Sequence, residues 1–169
     1  VENYKIVTPE AIEEALKTGK LKQTIFGTGC FWSPDSNFGG RPGVVQTRVG
    51  YAGASTLEPS YRDIKGHAEV VRVVYDSDQI SYRELLGNFE SWIVHDRKQG
   101  QYRQILFVFD REQKQVAEEL IQAIGKENAP EVIEVGEQNG TFWAGEDYHQ
   151  KYRLRRNKTL VSLAEQEFG

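Results

Sequence analysis

Short apolar segments that are typical of β-strands alternate along this chain with segments of helical periodicity. The clearest strand covers 68–75, and others are predicted at 21–28, 44–49, 104–109 and 132–135. A strand and an amphipathic helix each carry an apolar face that must pack against a neighbouring element. The alternation therefore indicates an α/β (α+β) fold with helices packed on a sheet. A split βαβ arrangement is compatible with this order of segments.

The segments between the strands carry helix and turn signals. A threonine followed by proline at 8–9 is typical of a helix start, and Ser-Tyr-Arg-Glu at 81–84 forms a capping box. A turn is predicted at 50–53, a loop at 58–66 and a mostly helical, charged segment after 145. The apolar faces of the predicted helices are formed by Ile12 and Leu16, by Tyr82, Leu85, Leu86 and Phe89, and by Val116, Leu120, Ile121 and Ile124.

Length and charge narrow the class of protein. The chain has 169 residues, which is enough for one substantial core, and a single domain over 1–169 is predicted. The formal net charge of −4 argues against nucleic-acid binding. No apolar run approaches the roughly 20 residues that cross a bilayer, and the first residues lack the apolar stretch of a signal peptide. A cytoplasmic protein without membrane or nucleic-acid contacts is expected, and a monomer is predicted.

Cys30 is the one cysteine of the sequence. A lone cysteine is often a small apolar core residue. Here it follows Gly29 at the predicted junction between a strand and a helix, where backbone N–H groups and the helix dipole stabilise a thiolate. Phe31 and Trp32 place two bulky aromatic side chains at the same turn. These residues leave an activated nucleophile and a core side chain equally open.

Glu69 is the second candidate, because it lies in the strand 68–75. Strand alternation places it on the same face as Val71 and Val73. An acid on an apolar face loses hydration, which raises its pKa and suits a proton donor. The alternative is a carboxylate at the strand start that bends into solvent. The opposite face, which is predicted to face solvent, carries Val70, Arg72 and Val74.

Three histidines and two tyrosines are the remaining candidate site residues. His67, His95 and His149 are too scattered to indicate a metal site, although a Cys–His hydrolase pair is conceivable on residue types alone. Tyr61 lies in a loop and Tyr102 lies just before a strand. Their hydroxyls could point into a cleft, or the rings could simply pack on the surface.

An ordered series of motifs resembles the peptide methionine sulfoxide reductases of the A type. The series spans roughly 24–152, most of the chain, and is far more specific than any single motif in it. It consists of Gly29-Cys30-Phe31-Trp32, Arg48-Val49-Gly50-Tyr51-Ala52-Gly53, Glu58-Pro59-Ser60-Tyr61, Gly66-His67-Ala68-Glu69-Val70-Val71, Val74-Tyr75-Asp76, Ile80-Ser81-Tyr82 with Leu85-Leu86, Gln101-Tyr102-Arg103, and Glu146-Asp147-Tyr148-His149-Gln150.

The resemblance implies a two-layer α/β fold with a ferredoxin-like core. It also implies an oxidoreductase that repairs proteins under oxidative stress by reducing the S epimer of methionine sulfoxide, free or in proteins. Cys30 would attack the sulfur and become a sulfenic acid. Since the sequence holds one cysteine, the resolving thiol must come from another molecule: thioredoxin, glutaredoxin with glutathione, or dithiothreitol in vitro. No bound cofactor or metal is expected.

The resemblance also assigns the residues around the cysteine. Phe31 and Trp32 would form the apolar pocket for the methyl group on sulfur. Glu69 would be the protonated acid on the sulfoxide oxygen, assisted by the hydroxyls of Tyr61 and Tyr102. This assignment agrees with the interpretation of Glu69 as a desolvated acid.

Three departures from the family pattern stand out. Ser33-Pro34-Asp35 replaces the commoner Gly-x-Glu, which should alter helix packing, and Gln104 stands where a small residue is usual. Only 97–100 occupy the place of a longer polar loop that normally brings an aspartate into the site, so Asp96 is the candidate to bind substrate in its stead. A shorter rim would either admit larger protein substrates or weaken substrate orientation. The alternative function is an inactive paralogue that binds oxidised methionine or a partner protein.

Overall fold

The computed structural model describes residues 8–54, 58–90, 100–135 and 142–150. The elements are, in chain order, α1 (Pro9–Lys17), β1 (Lys22–Thr28), α2 (Trp32–Gly39), β2 (Val44–Ala52), β3 (Ala68–Tyr75), α3 (Tyr82–Glu90), β4 (Gln104–Val108), α4 (Arg111–Ile124), β5 (Glu131–Glu134) and β6 (Trp143–Ala144), followed by a 3₁₀ turn at Asp147–His149.

These strands form one mixed sheet in the order β5-β4-β1-β3-β2-β6. β3 pairs antiparallel with both β1 and β2, and β4 pairs antiparallel with β1. The four central strands with α2 and α3 between them therefore make two split βαβ units, the ferredoxin-like arrangement. β5 extends the sheet parallel to β4 after the crossover helix α4, and β6 adds a short antiparallel strand beside β2. The predicted fold is confirmed.

The sheet is buried on both faces. One face packs under the helices through a core cluster that includes Phe26, Phe38, Val71, Leu85 and Leu106. The other face carries a second cluster of Ile25, Ala52, Ala68, Val70, Ile105 and Phe107.

The prediction that the second face of β3 meets solvent is wrong. Val70 and Val74 are fully buried, and Arg72 is only partly exposed. Helix α1 reaches this face, since Glu13 accepts a hydrogen bond from Arg72 at 3.1 Å. β3 is a central strand covered on both sides, and the guanidinium of Arg72 is paired on this face with Gln23 at 2.9 Å and with Glu13.

Local signals explain the helix starts. The Thr8 hydroxyl accepts the Ala11 N–H at 3.2 Å, which caps α1. At α3, the Glu84 N–H donates to the Ser81 hydroxyl at 3.1 Å, and the Glu84 carboxylate accepts the Ser81 N–H at 3.3 Å. Both bonds of the predicted capping box are therefore present.

β2 is longer than predicted, because it continues through the residues expected to form a turn. Tyr51 pairs with both Glu69 of β3 and Trp143 of β6. Gly50 is required in this stretch, since a Cβ there would lie 2.3 Å from the Trp143 carbonyl oxygen. After 145, the structure shows a short 3₁₀ turn in place of the start of a long helix.

Among the described helices, none has the length and apolar character needed to span a membrane. The loop predicted at 58–66 is confirmed. The strand predicted at 68–75 has the predicted bounds, and the boundaries of the other predicted strands except β2 differ by at most one residue.

Gly50→Ala should lower the free energy of unfolding by about 1–3 kcal/mol, since its methyl group would overlap the Trp143 carbonyl and the Phe142 ring. The matched control is Gly87→Ala in helix α3, where no atom lies within 4 Å of the added Cβ. That variant should be about 0.5–1 kcal/mol more stable than the parent protein. Urea denaturation measures both, and equal effects of the two substitutions would contradict the close approach of β6 to Gly50.

Candidate active site

Cys30 lies at the turn that joins β1 to α2, and its side chain is exposed. Gly29 makes this turn with a φ of 91°, a conformation that residues with a Cβ rarely adopt. The chain leaves the sheet at Thr28 and enters the helix at Trp32. The alternative of a cysteine packed in the core is therefore wrong, and the thiol is available to a reactant.

Glu69 is the second residue of β3 and is 1% exposed. Burial raises the pKa of its carboxyl, and two hydrogen bonds, from the Gln101 side chain and from the Phe31 backbone N–H, offset part of this effect. The Gln101 amide donates to Oε2 of Glu69, and the Glu69 N–H donates to the Gln101 carbonyl at 2.8 Å. The alternative of a carboxylate that bends into solvent is wrong.

The Phe31 N–H links the acid to the cysteine. Because this N–H belongs to the residue after Cys30, its hydrogen bond to Glu69 brings the buried carboxyl beside the exposed thiol. Tyr102 lies at the same place. Its pKa is raised by burial and further by the charges of Glu69, Tyr61 and Cys30, and it is hydrogen-bonded to Tyr61. The structure thus brings together Cys30, Glu69, Tyr61 and Tyr102, which lie apart in the sequence.

Phe31 and Trp32 belong to an aromatic cluster around His149. Phe31 is 1% exposed, and its ring centroid lies 5.2 Å from that of His149. The Trp32 indole N–H donates to Nδ1 of His149 at 3.1 Å, and the ring of Tyr61 lies 4.6 Å from the imidazole. An apolar wall therefore adjoins the polar group formed by the acid and the phenols.

The hydrogen bond from Trp32 fixes the state of His149. Since Nδ1 accepts this hydrogen bond, Nε2 carries the hydrogen of the neutral ring. Burial lowers the pKa of His149, and the carboxylate of Glu146, 3.8 Å from Nε2, opposes this only in part. The imidazole is therefore held neutral.

Glu146 ties the last described segment to the site. Its carboxylate accepts the Tyr51 hydroxyl at 2.7 Å and the Tyr61 N–H at 2.9 Å. Although burial acts to raise it, the pKa of Glu146 is lowered because these two donors favour the charged form. Gln150 adds a second connection, since its amide bonds both the N–H and the carbonyl of Val49 at 3.0 Å.

Sequence reasoning assigned no role to four residues that shape this site, namely Tyr51, Gln101, Glu146 and His149. All four stand inside the recognised motifs, which was the available signal. Their partners are distant in sequence, for example Trp32 and His149, which lie 117 positions apart, so spacing could not pair them.

The other predicted residues are placed as follows. Asp96 and His95 lie outside the described residues. Asp35, from the departure at 33–35, is buried, and its carboxylate accepts the Thr47 hydroxyl at 2.7 Å, which fastens α2 to β2. Gln104 is also buried, 5% exposed, at the start of β4.

Two of the three histidines, His67 and His149, lie in the described part of the chain. Within the described ranges, no three histidine, cysteine or acidic side chains are grouped to hold a metal ion. The Nδ1 atoms of His149 and His67 accept the Trp32 indole N–H and the Ala54 backbone N–H, respectively. Among the described histidines, these hydrogen bonds therefore remove both Nδ1 atoms as bases for Cys30.

The chain is similar to proteins of one known family. The family model described as peptide methionine sulfoxide reductase matches residues 22–167. The peptide methionine sulfoxide reductase MsrA of Methanoculleus marisnigri is 42% identical over 153 residues, which cover 80% of this chain and 91% of that protein.

Solved structures show the same fold. Mxr1 from Saccharomyces cerevisiae in reduced form matches with a TM-score of 0.65 and 29% identity, over 82% of this chain and 87% of that one. The structure of Mxr1 in complex with Trx2 matches with a TM-score of 0.50 and 22% identity, over 90% and 92% of the two chains. The second match supports the fold alone.

The neutral His149 predicts a pH dependence of stability. Since its pKa is below 6.5 in the folded protein, the unfolded chain binds the proton more readily, and the free energy of unfolding falls as the pH drops through 6.5. His149→Gln should flatten this fall between about pH 7.5 and about pH 5.5, the range in which an ordinary histidine titrates. Urea denaturation at the two pH values measures the slope. Equal slopes for the variant and the parent protein would contradict a neutral His149.

Proposed function

The chain belongs to the peptide methionine sulfoxide reductase family, and we propose that it acts on the S epimer by attack of Cys30 on the sulfoxide sulfur. Its activity is the thiol-dependent reduction of methionine sulfoxide to methionine. The observation that carries the proposed mechanism is the convergence of the exposed Cys30 with the buried carboxyl of Glu69 and with the hydroxyl-bearing side chains of Tyr61 and Tyr102.

In the proposed first step, the Cys30 thiolate attacks the sulfur of the sulfoxide. The sulfoxide oxygen becomes strongly basic as the new bond forms, and Glu69 delivers the proton that it takes up. Burial suits Glu69 to this role, because its raised pKa keeps more of the carboxyl protonated than in water. Tyr61 and Tyr102 donate hydrogen bonds to the same oxygen.

The step balances as an oxygen transfer. The oxygen leaves the methionine sulfur, which is reduced by two electrons, and remains on the Cys30 sulfur, which is oxidised by two. One proton is consumed. The products are methionine and a cysteine sulfenic acid.

We assign the apolar part of the substrate to Phe31 and Trp32. The methyl group on the sulfoxide sulfur has no hydrogen-bonding capacity and gains from contact with aromatic rings, while the S=O group beside it needs donors. The aromatic cluster around His149 and the polar group around Glu69 supply these two surroundings side by side. Such a division can discriminate between epimers, because exchanging the methyl and oxygen positions would place oxygen against the rings.

The sulfenic acid is then resolved by a thiol from outside these 169 residues, since the sequence contains one cysteine. One thiol condenses with Cys30 to a mixed disulfide with loss of water, and a second thiolate releases Cys30. We propose a thioredoxin as the reductant, a role for which glutaredoxin with glutathione is the alternative. Among relatives, yeast Mxr1 is known in complex with Trx2. A reducing compartment such as the cytoplasm suits an exposed free thiol.

Cys30→Ser should abolish turnover of methionine sulfoxide, while the parent protein should reduce the S epimer and leave the R epimer unchanged. The substrates are the two epimers of a blocked methionine sulfoxide, with dithiothreitol as reductant. Chromatography of the thioether product measures the rate. If the parent protein turned over neither epimer, the proposed function would be refuted. Full activity of Cys30→Ser would refute only the role assigned to the cysteine.

Replacement of Glu69 separates hydrogen-bond donation from packing. Glu69→Gln retains a donor of similar size, so it should keep more activity than Glu69→Ala, in which a loss of about 10²-fold or more is expected for a missing acid. The single-turnover rate of methionine formation measures both. If the two variants are equally slow while both remain folded, the donor role of Glu69 is wrong.

A further inference from the structure

The guanidinium group of Arg103 joins three separate turns of the chain. Its Nη1 donates to the carbonyl oxygens of Gly66 at 3.0 Å and Gly100 at 3.1 Å, and its Nη2 donates to that of Gly53 at 3.2 Å. The side chain is 14% exposed, and its Nε lies 4.0 Å from the carboxylate of Glu131. This one guanidinium group thus donates hydrogen bonds to three backbone carbonyls that would otherwise need water as a donor.

The three accepting residues are all glycines with positive φ. The values are 96° at Gly53, 80° at Gly66 and 80° at Gly100. Other residues adopt this conformation only with strain, so each turn depends on a glycine. At Gly53 a Cβ would also lie 2.7 Å from Nη2 of Arg103, which leaves no room for a side chain between the turn and the guanidinium.

Each of these turns leads directly to a residue of the proposed site. Gly53 follows β2, two residues after Tyr51, and Gly66 precedes β3, three residues before Glu69. Gly100 begins the turn that carries Gln101 and Tyr102, and that turn ends at Arg103 itself through its N–H bond to Gly100 at 3.3 Å. The His67 imidazole, which accepts the Ala54 N–H at 3.2 Å, connects the first two turns a second time.

We propose that Arg103 is a positioning residue, which holds the acid Glu69 and the phenol Tyr102 in their reactive arrangement by fixing these three turns. This inference rests on the proposed function and extends it to a residue that does not touch the substrate. The planar guanidinium presents several N–H groups in a fixed geometry, whereas a lysine ammonium is a compact group on a flexible stem. Lysine preserves the charge at this position but cannot reach three carbonyls with the same geometry.

Loss of the Arg103 guanidinium should affect only one of the two chemical steps. Oxygen transfer needs Glu69 and Tyr102 at the sulfoxide oxygen, and small displacements of such groups slow a reaction strongly. Resolution of the sulfenic acid needs Cys30 and an external thiol. Cys30 is held at the β1–α2 turn, which Arg103 does not contact through the hydrogen bonds described above. Loss of the guanidinium should therefore slow the first step and spare the second.

The test measures both steps in Arg103→Lys and Arg103→Ala. Methionine released from the S-epimer substrate in a single turnover without thiol gives the first rate, and reduction of the oxidised protein by dithiothreitol gives the second. We expect the first rate to fall about tenfold or more in both variants and the second to stay within twofold of the parent value. Arg83→Lys is the matched control, since Arg83 is an exposed arginine that pairs with Glu119 on α4, and both of its rates should equal those of the parent protein.

Chemical rescue distinguishes positioning from general destabilisation. Millimolar guanidinium should restore part of the first rate in Arg103→Ala, whereas methylammonium at the same concentration should not. If Arg103→Ala does not fold, Gly53→Ala disturbs the same contact from the backbone side with the arginine intact, and it should show the same selective loss.

Three outcomes would overturn the inference: an unchanged first rate in Arg103→Lys, equal slowing of both steps, or a loss in Arg103→Ala that guanidinium fails to restore. These outcomes are distinct from a failure of the proposed function, in which the parent protein itself would release no methionine.

Discussion

Burial of the Glu69 carboxyl is the constraint around which the rest of the site is arranged. A carboxyl on a central strand loses its hydration and must obtain donors from the protein. The two that it obtains are the backbone N–H of Phe31 and the side-chain amide of Gln101. The first comes from the turn that carries Cys30 and the second from the turn that carries Tyr102. Satisfying one buried acid therefore also assembles the nucleophile and a phenol beside it.

The topology of the sheet makes this assembly possible. In an antiparallel pair, the end of one strand lies beside the start of its neighbour. The end of β1 at Thr28 pairs with the start of β4 at Gln104, and the end of β2 at Ala52 pairs with the start of β3 at Ala68. Four chain segments thus meet at one end of the central strands, and Cys30, Glu69 and Tyr102 lie on these segments or just beyond them. The helices and apolar clusters hold this end of the sheet in place.

The sequence predicted the fold class because strand alternation and helix caps are local signals. Thr8 and the pair Ser81 and Glu84 act in the structure as their spacing predicts. The boundary at Gly50 could not be predicted, because a glycine typical of a turn continues a strand here to admit β6, which lies more than 90 positions away.

The candidate site was predictable only in part, because many of its contacts join residues that are distant in sequence. The burial of Glu69 follows from its position in an apolar strand, and the cysteine–aromatic motif indicated Cys30. The aromatic contacts of His149 and the bonds from Arg103 to the Gly53 and Gly66 carbonyls depend on long-range packing that no local pattern records. The second face of β3 was wrongly predicted to meet solvent. Alternation with a period of two shows that the two faces of a strand differ, but it does not show what covers each face.

The two outer strands have a consequence for association between molecules. β6 contains two residues, and β5 contains four, with an exposed glutamate at each end. A strand edge with unpaired backbone groups can recruit a strand from another chain, and short length or charge at the edge opposes such recruitment. A protein that acts on oxidatively damaged chains encounters partly unfolded polypeptides with exposed backbone. Among the described residues, the sheet ends in two strands whose shortness and charge make them poor templates for adding such polypeptides.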